Sequence, residues 1–253
     1  MREYFSELAN TILEVCEGAK KVYYMANPGN WGDGLIREGA IRFFEDYNIR
    51  YEEIEGSKLI DLLNKDCVLI YGGGGAWCTH WNSAPKIVAA VAPYLKNIIV
   101  LPSTYQLYSN VANVIYFARD RYESMEVMPH ARFCHDMAFY LKPEAVSPDK
   151  INGYFFRTDE ESTGLHEMPE SNFDLSMCGT HLSDSKAFFD NIAQYQKIYT
   201  DRLHIAIAGC LLGRVVNFFP NDYFKNRALY KSSIKDIFPD VFFYEEFQQN
   251  RPI

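Results

Sequence analysis

From Ile205 to Leu212 the chain carries no polar side chain. A helix with no polar stripe must be buried on every side, which demands a layered α/β core around it. The residues before it, Gln196 to Tyr199, read as a strand, with Thr200 or Asp201 as the helix cap and Gly213 as its stop. Arg202 and His204 therefore fall in the first turn of a buried helix. Backbone N–H groups there favour an anion, and these two side chains would add charge-assisted donors. The plainer alternative pairs Arg202 internally, with Asp222, and leaves His204 as a core histidine. Lys225 and Asn226, opening the next helix, tip the reading toward a site for phosphate or carboxylate.

The rest of the composition sharpens this. With 253 residues, 48% hydrophobic and 15% aromatic, the chain can bury one large α/β core or two small ones. Its net charge of −8 excludes a general nucleic-acid binder, so an anionic ligand needs a local positive cluster. Six cysteines show no C-x-x-C pair and no zinc-like spacing, and no metal site or cofactor is expected. The adjacent pair His135 and Asp136 is a weak metal candidate, because neighbouring side chains point apart. No signal pattern or membrane-crossing run is seen, which leads to the expectation of a cytoplasmic protein.

Taken in order, residues 3–17 place Phe5, Leu8, Ile12, Leu13 and Cys16 at helical spacing. Lys21 to Ala26 then reads as a strand running into the loop Asn27 to Gly34 and a helix from Leu35 to Tyr47. Strands follow at Arg50–Ile54 and Asp66–Tyr71, with a short helix at Lys58–Asn64 between them. The second of these strands ends in the glycine run Gly72 to Gly75. The run lacks G-x-G-x-x-G spacing, which argues against a dinucleotide site. After a helix at Ala84–Leu95 come the strand Asn97–Leu101, a polar loop Pro102–Gln106, and strands at Asn113–Phe117 and Ala131–Cys134. Polar tips after successive parallel strands converge on one sheet edge, where ligands bind. Asp33, Arg119 and His135 are charged or ionisable groups at such tips. Lys142 to Lys150 reads as a linker, dividing the chain into domains 1–145 and 146–253. Beyond it the expected elements are strands at Gly153–Phe156, Phe173–Met177 and Val215–Phe219, and helices at Ser183–Gln194 and Lys225–Lys235. The aromatic segment Phe238–Phe247 is expected to return to the first domain.

Ordered matches across the chain carry a resemblance to a known family. They are Asn27-x-Gly29-Asn30-x-Gly32-Asp33, Gly72 to Gly75, Arg119-Asp120-x-x-x-Ser124, Asp136-x-Ala138-Phe139, and Thr200-x-Arg202-Leu203-His204 followed by Asp222 and Lys225-Asn226. In these the chain resembles the polysaccharide pyruvyl transferases. The resemblance implies a GT-B-like fold, two Rossmann-like domains with parallel sheets facing across a cleft. The first would take the acceptor, and the second, abbreviated here, phosphoenolpyruvate. The reaction implied is transfer of pyruvate onto two hydroxyls of a sugar, giving a cyclic ketal and phosphate. A lipid-linked oligosaccharide at the inner face of the membrane is one acceptor the resemblance allows. Residues matching Arg119, His204 and Lys225 are associated in the family with the phosphoenolpyruvate site. The chain departs from the family pattern at His135, where a proline is commoner.

On physical grounds the donor's phosphate and carboxylate call for separate cationic grips. Arg119, Arg157, Arg202 and Lys225 are the candidates, with Asn30, Gly73 and Gly74 as further substrate contacts. His204 is the candidate general acid, and Asp33 the base or orienter of the acceptor. Two other readings compete. A nucleotide-sugar transferase would use Glu160 or Glu161 to hold a ribose. A non-catalytic glycan- or phosphate-binding relative would need no acid.

Overall fold

The computed structural model describes residues 1–59, 64–144, 146–164 and 168–245. The chain divides into two compact units, Met1–Pro28 with Ile36–Tyr140, and Gly29–Leu35 with the residues from Leu141 onward. In the first unit the order is α1 (Arg2–Cys16), β1 (Lys21–Met25), α2 (Trp31–Asp46), β2 (Glu52–Glu53), β3 (Cys67–Tyr71) and β4 (Gly74–Trp77). It continues with α3 (Ser83–Val91), β5 (Asn97–Tyr105), β6 (Val114–Ala118), α4 (Glu123–Val127) and β7 (Arg132–Phe133). The first turn of α2 belongs to the other unit. The helix expected at Lys58–Asn64 lies in part outside the described residues, at 60–63; Gly56–Lys58 forms a short 3₁₀ turn.

The first unit's seven strands form a parallel sheet in the order β2-β1-β3-β5-β6-β7, with β4 paired to β5 beside that path. All of β3 is buried, as a strand covered on both faces must be. Alternate residues serve different layers. Tyr23, Leu69, Tyr71, Ile98 and Val100 pack in one core with Trp77, Val88 and Tyr116. The strand order reverses direction between β1 and β3, and at that switch point the loops leave the sheet edge together. There Tyr71 Oη donates to Asn27 Oδ1 at 3.1 Å and the Gly72 N–H to the Met25 carbonyl at 2.7 Å.

Strand β5 corrects the expectation of a loop at Pro102–Gln106. Pro102 reads as a break, yet the strand runs through it to Tyr105. The register against β6 shifts between Val100 and Ser103, and such a bulge is where a strand accommodates proline. The glycine run also changes meaning. Gly73 and Gly74 are buried. A Cβ at Gly73 would strike the Pro102 carbonyl oxygen, and Gly74 pairs with Ser103 with φ +117°. Close backbone approach at Gly73 and the positive φ at Gly74 give each of these glycines, assigned to substrate contact, a structural reason.

The second unit contains β8 (Lys150–Tyr154), α5 (Ser185–Ala193), β9 (Tyr195–Thr200), α6 (Leu203–Leu211), β10 (Val215–Phe218), α7 (Lys225–Leu229) and β11 (Val241–Phe243). Its four strands are parallel in the order β11-β10-β9-β8. Helix α6 is the apolar run and is buried at Leu203 and throughout Ile205–Cys210. It stops at Gly213, whose φ of +65° suits the glycine position after a helix end. Two expectations fail here. Phe173–Met177 is no strand; Leu175–Cys178 forms a 3₁₀ turn. Nor do the described C-terminal residues return to the first unit, because Val241–Phe243 pairs with Val216–Phe218 and extends the second sheet. Helix α7 passes into a π-helical turn, Tyr230–Ile234, where one helix was expected to continue.

Candidate functional site

Loop Asn27–Asp33 builds a helix start. The Asn30 side chain accepts from the Gly32 N–H at 2.8 Å, while Asp33 Oδ2 accepts from the Asn30 N–H at 3.0 Å. Asparagine caps the turn through the Gly32 N–H, and aspartate three residues on reaches back to the cap's own N–H, a variant of the capping box. It supplies a structural reason for the Asn30-x-Gly32-Asp33 pattern, with Asp33 fixing the turn. The turn is seated on the second unit. Asn30 and Thr180 form an isolated antiparallel bridge, and the His181 N–H donates to the Gly29 carbonyl at 3.1 Å.

His204 meets that turn. It is half-buried in the first turn of α6, one residue after the apolar Leu203. A Cβ built at Gly32 would lie 2.5 Å from His204 Nδ1. Only glycine lets the imidazole approach so closely. Two helix starts thus come together at one imidazole, and both favour negative charge.

Behind His204 lies a lattice of ion pairs (Arg157, Arg202 and Lys225 with Asp159, Glu161 and Asp174). Arg202 is the residue preceding α6, where Thr200 or Asp201 had been expected; the Thr200 hydroxyl instead accepts from the Arg202 N–H at 2.9 Å. The Arg202 guanidinium grips Asp174 through two parallel bonds of 2.9 and 2.6 Å and reaches Asp159 at 2.7 Å. Its partners are therefore Asp174 and Asp159, where an ion pair with Asp222 had been the alternative. Arg157 holds Asp159 at 2.7 Å and Glu161 at 2.6 Å. Glu161 also accepts from Lys225 and, at 3.2 Å, from Asn221. Burial pushes the Glu161 carboxyl up, but Lys225 and Arg157 outweigh it and hold the group well below the usual carboxylate range. Glu161 is thus committed internally, which leaves no ribose-binding role for it, and Glu160 is exposed.

Asp201 ties the corner together. Its Oδ1 accepts from the Arg157 N–H at 2.8 Å and its carbonyl from Asn226 Nδ2 at 2.6 Å. Its Oδ2 is buried with no hydrogen-bond partner among the described residues, and burial, opposed by the Arg157 N–H and the Arg157 and Arg202 charges, raises this acid to about 6. Asn226 also donates to the Phe219 carbonyl at 3.0 Å, joining the ends of β9 and β10.

The structure brings Asn30, Asp33, Arg157, Arg202, His204 and Lys225 into the second unit and places Arg119, Gly73 and Gly74 in the first. Arg119 is sealed at 1% exposure, with Nε on the Thr104 hydroxyl at 2.8 Å and Nη1 on Asp136 at 2.7 Å. Nearby, Asp120 accepts from the Ser124 N–H and from its hydroxyl, so the Arg119-Asp120-x-x-x-Ser124 pattern also has structural work to do. His135 is a core histidine rather than a ligand at a sheet tip. Tyr4, Phe5, Phe133 and Phe139 surround its ring, and burial, helped by the N-terminal ammonium and Arg121, lowers it to about 4.

Sequence reasoning missed Asp159 and Asp174 as partners. Asp159 had a local signal, the Arg157-x-Asp159-x-Glu161 spacing. Asp174 had none, since it lies 28 residues before Arg202. Among the described residues no group of three or more His, Cys, Asp or Glu side chains is arranged to hold a metal ion. None of their helices is long and apolar enough to cross a membrane. An open depression of about 820 Å³, lined by residues including Cys16, Lys21 and Arg50, lies at the amino end of β1, away from the strand tips.

Comparison with known proteins places these features in context. A crystal structure of a functionally uncharacterised protein from Klebsiella pneumoniae subsp. pneumoniae NTUH-K2044 is similar over 97% of this chain and 100% of that one, with a TM-score of 0.85 and 25% identity. Curated proteins give no match. The family model for polysaccharide pyruvyl transferase matches residues 30–223, from the capping box through the Arg202–His204 turn to the residues before α7. On that match the chain belongs to the polysaccharide pyruvyl transferase family, whose membership implies a transferase that places pyruvate on polysaccharide.

Proposed function

We propose that the chain transfers pyruvate from phosphoenolpyruvate onto two hydroxyls of a sugar in a cell-surface polysaccharide or its precursor, forming a cyclic ketal and releasing phosphate. The observation that carries this reading is the half-buried imidazole of His204 seated against the first turn of α2 at the start of α6. A trianionic donor suits a place where two helix starts and an imidazole meet, because each favours negative charge. Bound anion in turn favours the charged imidazole.

In this mechanism His204 gives its proton to the methylene carbon of phosphoenolpyruvate, which becomes a methyl group. C2 is then electrophilic, and a sugar hydroxyl adds to it. Phosphate leaves with the electrons of the C2–O bond, and the neighbouring hydroxyl closes the ring. One hydroxyl proton returns to the imidazole and the other departs on phosphate. Asp33 and Asn30 are orienters that fix the α2 start. Arg157, Arg202 and Lys225 hold the turn that carries His204 through their carboxylate partners, and Arg119 anchors the strand ends of the first unit. The remainder of the proposal is a GT-B arrangement of the two units and action in the cytoplasm, at the inner membrane face where the acceptor is lipid-linked.

The test is phosphate release from phosphoenolpyruvate with galactose-, mannose- and glucosamine-type acceptors, one set lipid-linked. Release that depends on an acceptor is expected, and no release with any of them would sink the reading. One observation favours a second reading, a non-catalytic phosphate- or glycan-binding relative. Arg157, Arg202 and Lys225, all buried in the second unit, are each already paired with a carboxylate. That reading expects phosphoenolpyruvate to raise the thermal midpoint with no turnover.

A further inference from the structure

Trp31 is the first residue of α2, belongs to the second unit and is half-buried. Its indole Nε1 donates to the Asp184 carbonyl at 3.0 Å, at the residue that caps α5. Its ring meets Phe188 edge-on, with centroids 5.5 Å apart. Gly179 forms the floor, since a Cβ there would lie 2.7 Å from Trp31 Cγ and Cδ2. The turn that receives the indole is itself braced. The Thr180 N–H donates to Ser183 Oγ and the Ser183 N–H to the Thr180 carbonyl, each at 2.9 Å. A side chain with few rotamers, held by a hydrogen bond, an aromatic contact and a glycine floor, fixes the backbone that carries it. The next residue in that backbone is Gly32, which lies against His204 Nδ1.

We propose that Trp31 is a positioning residue of the transferase, a peg that seats the start of α2 on the second unit so that Gly32 backs the His204 imidazole. The inference rests on the assignment of His204 as the acid. The capping bonds of Asn30 and Asp33 shape the turn from within. The peg acts beside the Asn30–Thr180 bridge and the His181 N–H bond to the Gly29 carbonyl in seating it. Without the indole the first turn of α2 can rock on its capping box, and the imidazole loses the surface that limits its rotation. Small misplacements of a proton donor cost rate, with little effect on binding of the rest of the substrate.

The experiment compares the full-length wild type with Trp31→Ala, Trp31→Phe and Gly32→Ala. Three quantities are read: phosphate release from phosphoenolpyruvate, the ring resonances of His204 in histidine-labelled protein, and the thermal midpoint. Trp31→Ala and Gly32→Ala should each lower kcat on the order of 10- to 100-fold with KM for phosphoenolpyruvate held within about twofold. Both should shift the His204 resonances. Trp31→Phe keeps the ring on Gly179 and Phe188 and should recover most of the rate and the wild-type resonances. Gly32→Ala disturbs the contact without touching the peg, so the test survives a Trp31→Ala chain that fails to fold. A lower thermal midpoint in Trp31→Ala with kcat and His204 resonances unchanged would reduce Trp31 to packing and overturn the proposal. So would a silent Gly32→Ala. Should the wild type turn over no phosphoenolpyruvate, the resonances still report the seating of His204, so failure of the reaction and failure of the peg are read separately.

Discussion

The two sheets finish their strand ends in different ways. The first reverses its winding between β1 and β3 and so has a crevice built into its topology. The second adds β8 to β11 in sequence order and has no such reversal among its described strands. It relies instead on residues from far away in the chain, a borrowed helix start at Gly29–Leu35 and a lattice of ion pairs around the β9–α6 turn. The buried charges follow the same division. In the first unit Arg119 meets Asp136 and Thr104; in the second, three cations share Asp159, Glu161 and Asp174. The comparison teaches that a cation at a strand tip need not announce a bound anion, because the chain can supply the counter-charge itself. What separates the units is the half-buried imidazole beside a helix start.

Five variants press on that comparison. The largest effect is expected from His204→Ala, which should cut phosphate release on the order of 10²- to 10⁴-fold, as loss of a general acid does, with the thermal midpoint near wild type. Near-normal turnover would return the second unit to a purely structural role. Arg119→Ala should act on folding, because it leaves Asp136 buried without its cation; ~3–5 kcal/mol of stability should disappear in denaturant titration. The family resemblance alone leads to loss of phosphate release with an intact fold. A stable but inactive Arg119→Ala protein would restore Arg119 to the donor site.

The pH dependence of stability should have opposite signs in the two units. His135 is held down to about 4 by burial, so the unfolded chain binds its proton first, and stability should fall as pH drops from about 6.5 toward 4. Asp201 is raised to about 6 by burial. Its contribution is complete below the unfolded value near 4 and is lost as pH rises through 6. Each shift corresponds to about 3 kcal/mol. Over pH 4 to 6 the two terms oppose each other, so Asp201→Asn should leave the His135 rise uncompensated and stabilise the protein at pH 7, whereas His135→Phe should leave stability falling with pH through the Asp201 range. Parallel curves for wild type and Asp201→Asn would mean that the buried carboxyl titrates normally. The smallest effect belongs to Arg202→Lys, which loses the two-pronged grip on Asp174 but keeps the charge, at about 1–3 kcal/mol. No change would mark that grip as dispensable.

Much of the fold was legible because periodicity is local. The apolar run at Ile205–Leu212, the short apolar strands β1 and β3 and the glycine stop at Gly213 each declare themselves within a few residues. Errors came where a local signal was overruled by neighbours. Pro102 reads as a break but sits in a bulge, and Phe173–Met177 is apolar enough for a strand, yet Asp174 within it is drawn to Arg202. Of the candidate site, the His204 turn and the Asn30–Asp33 loop were visible as patterns. That they touch was not, since nothing in either stretch encodes the other.

The amino-acid order by itself determined the class of fold, two parallel α/β cores, and the family pattern along the chain. Its reason is that hydrophobic spacing and turn chemistry act over a few residues and need no partner to be read. Only the tertiary structure decided which charges are spent on one another and which helix start stands beside His204. Those outcomes depend on carboxylates and guanidinium groups that meet across tens of residues, where burial makes each charge find a partner and sequence distance says nothing about which one.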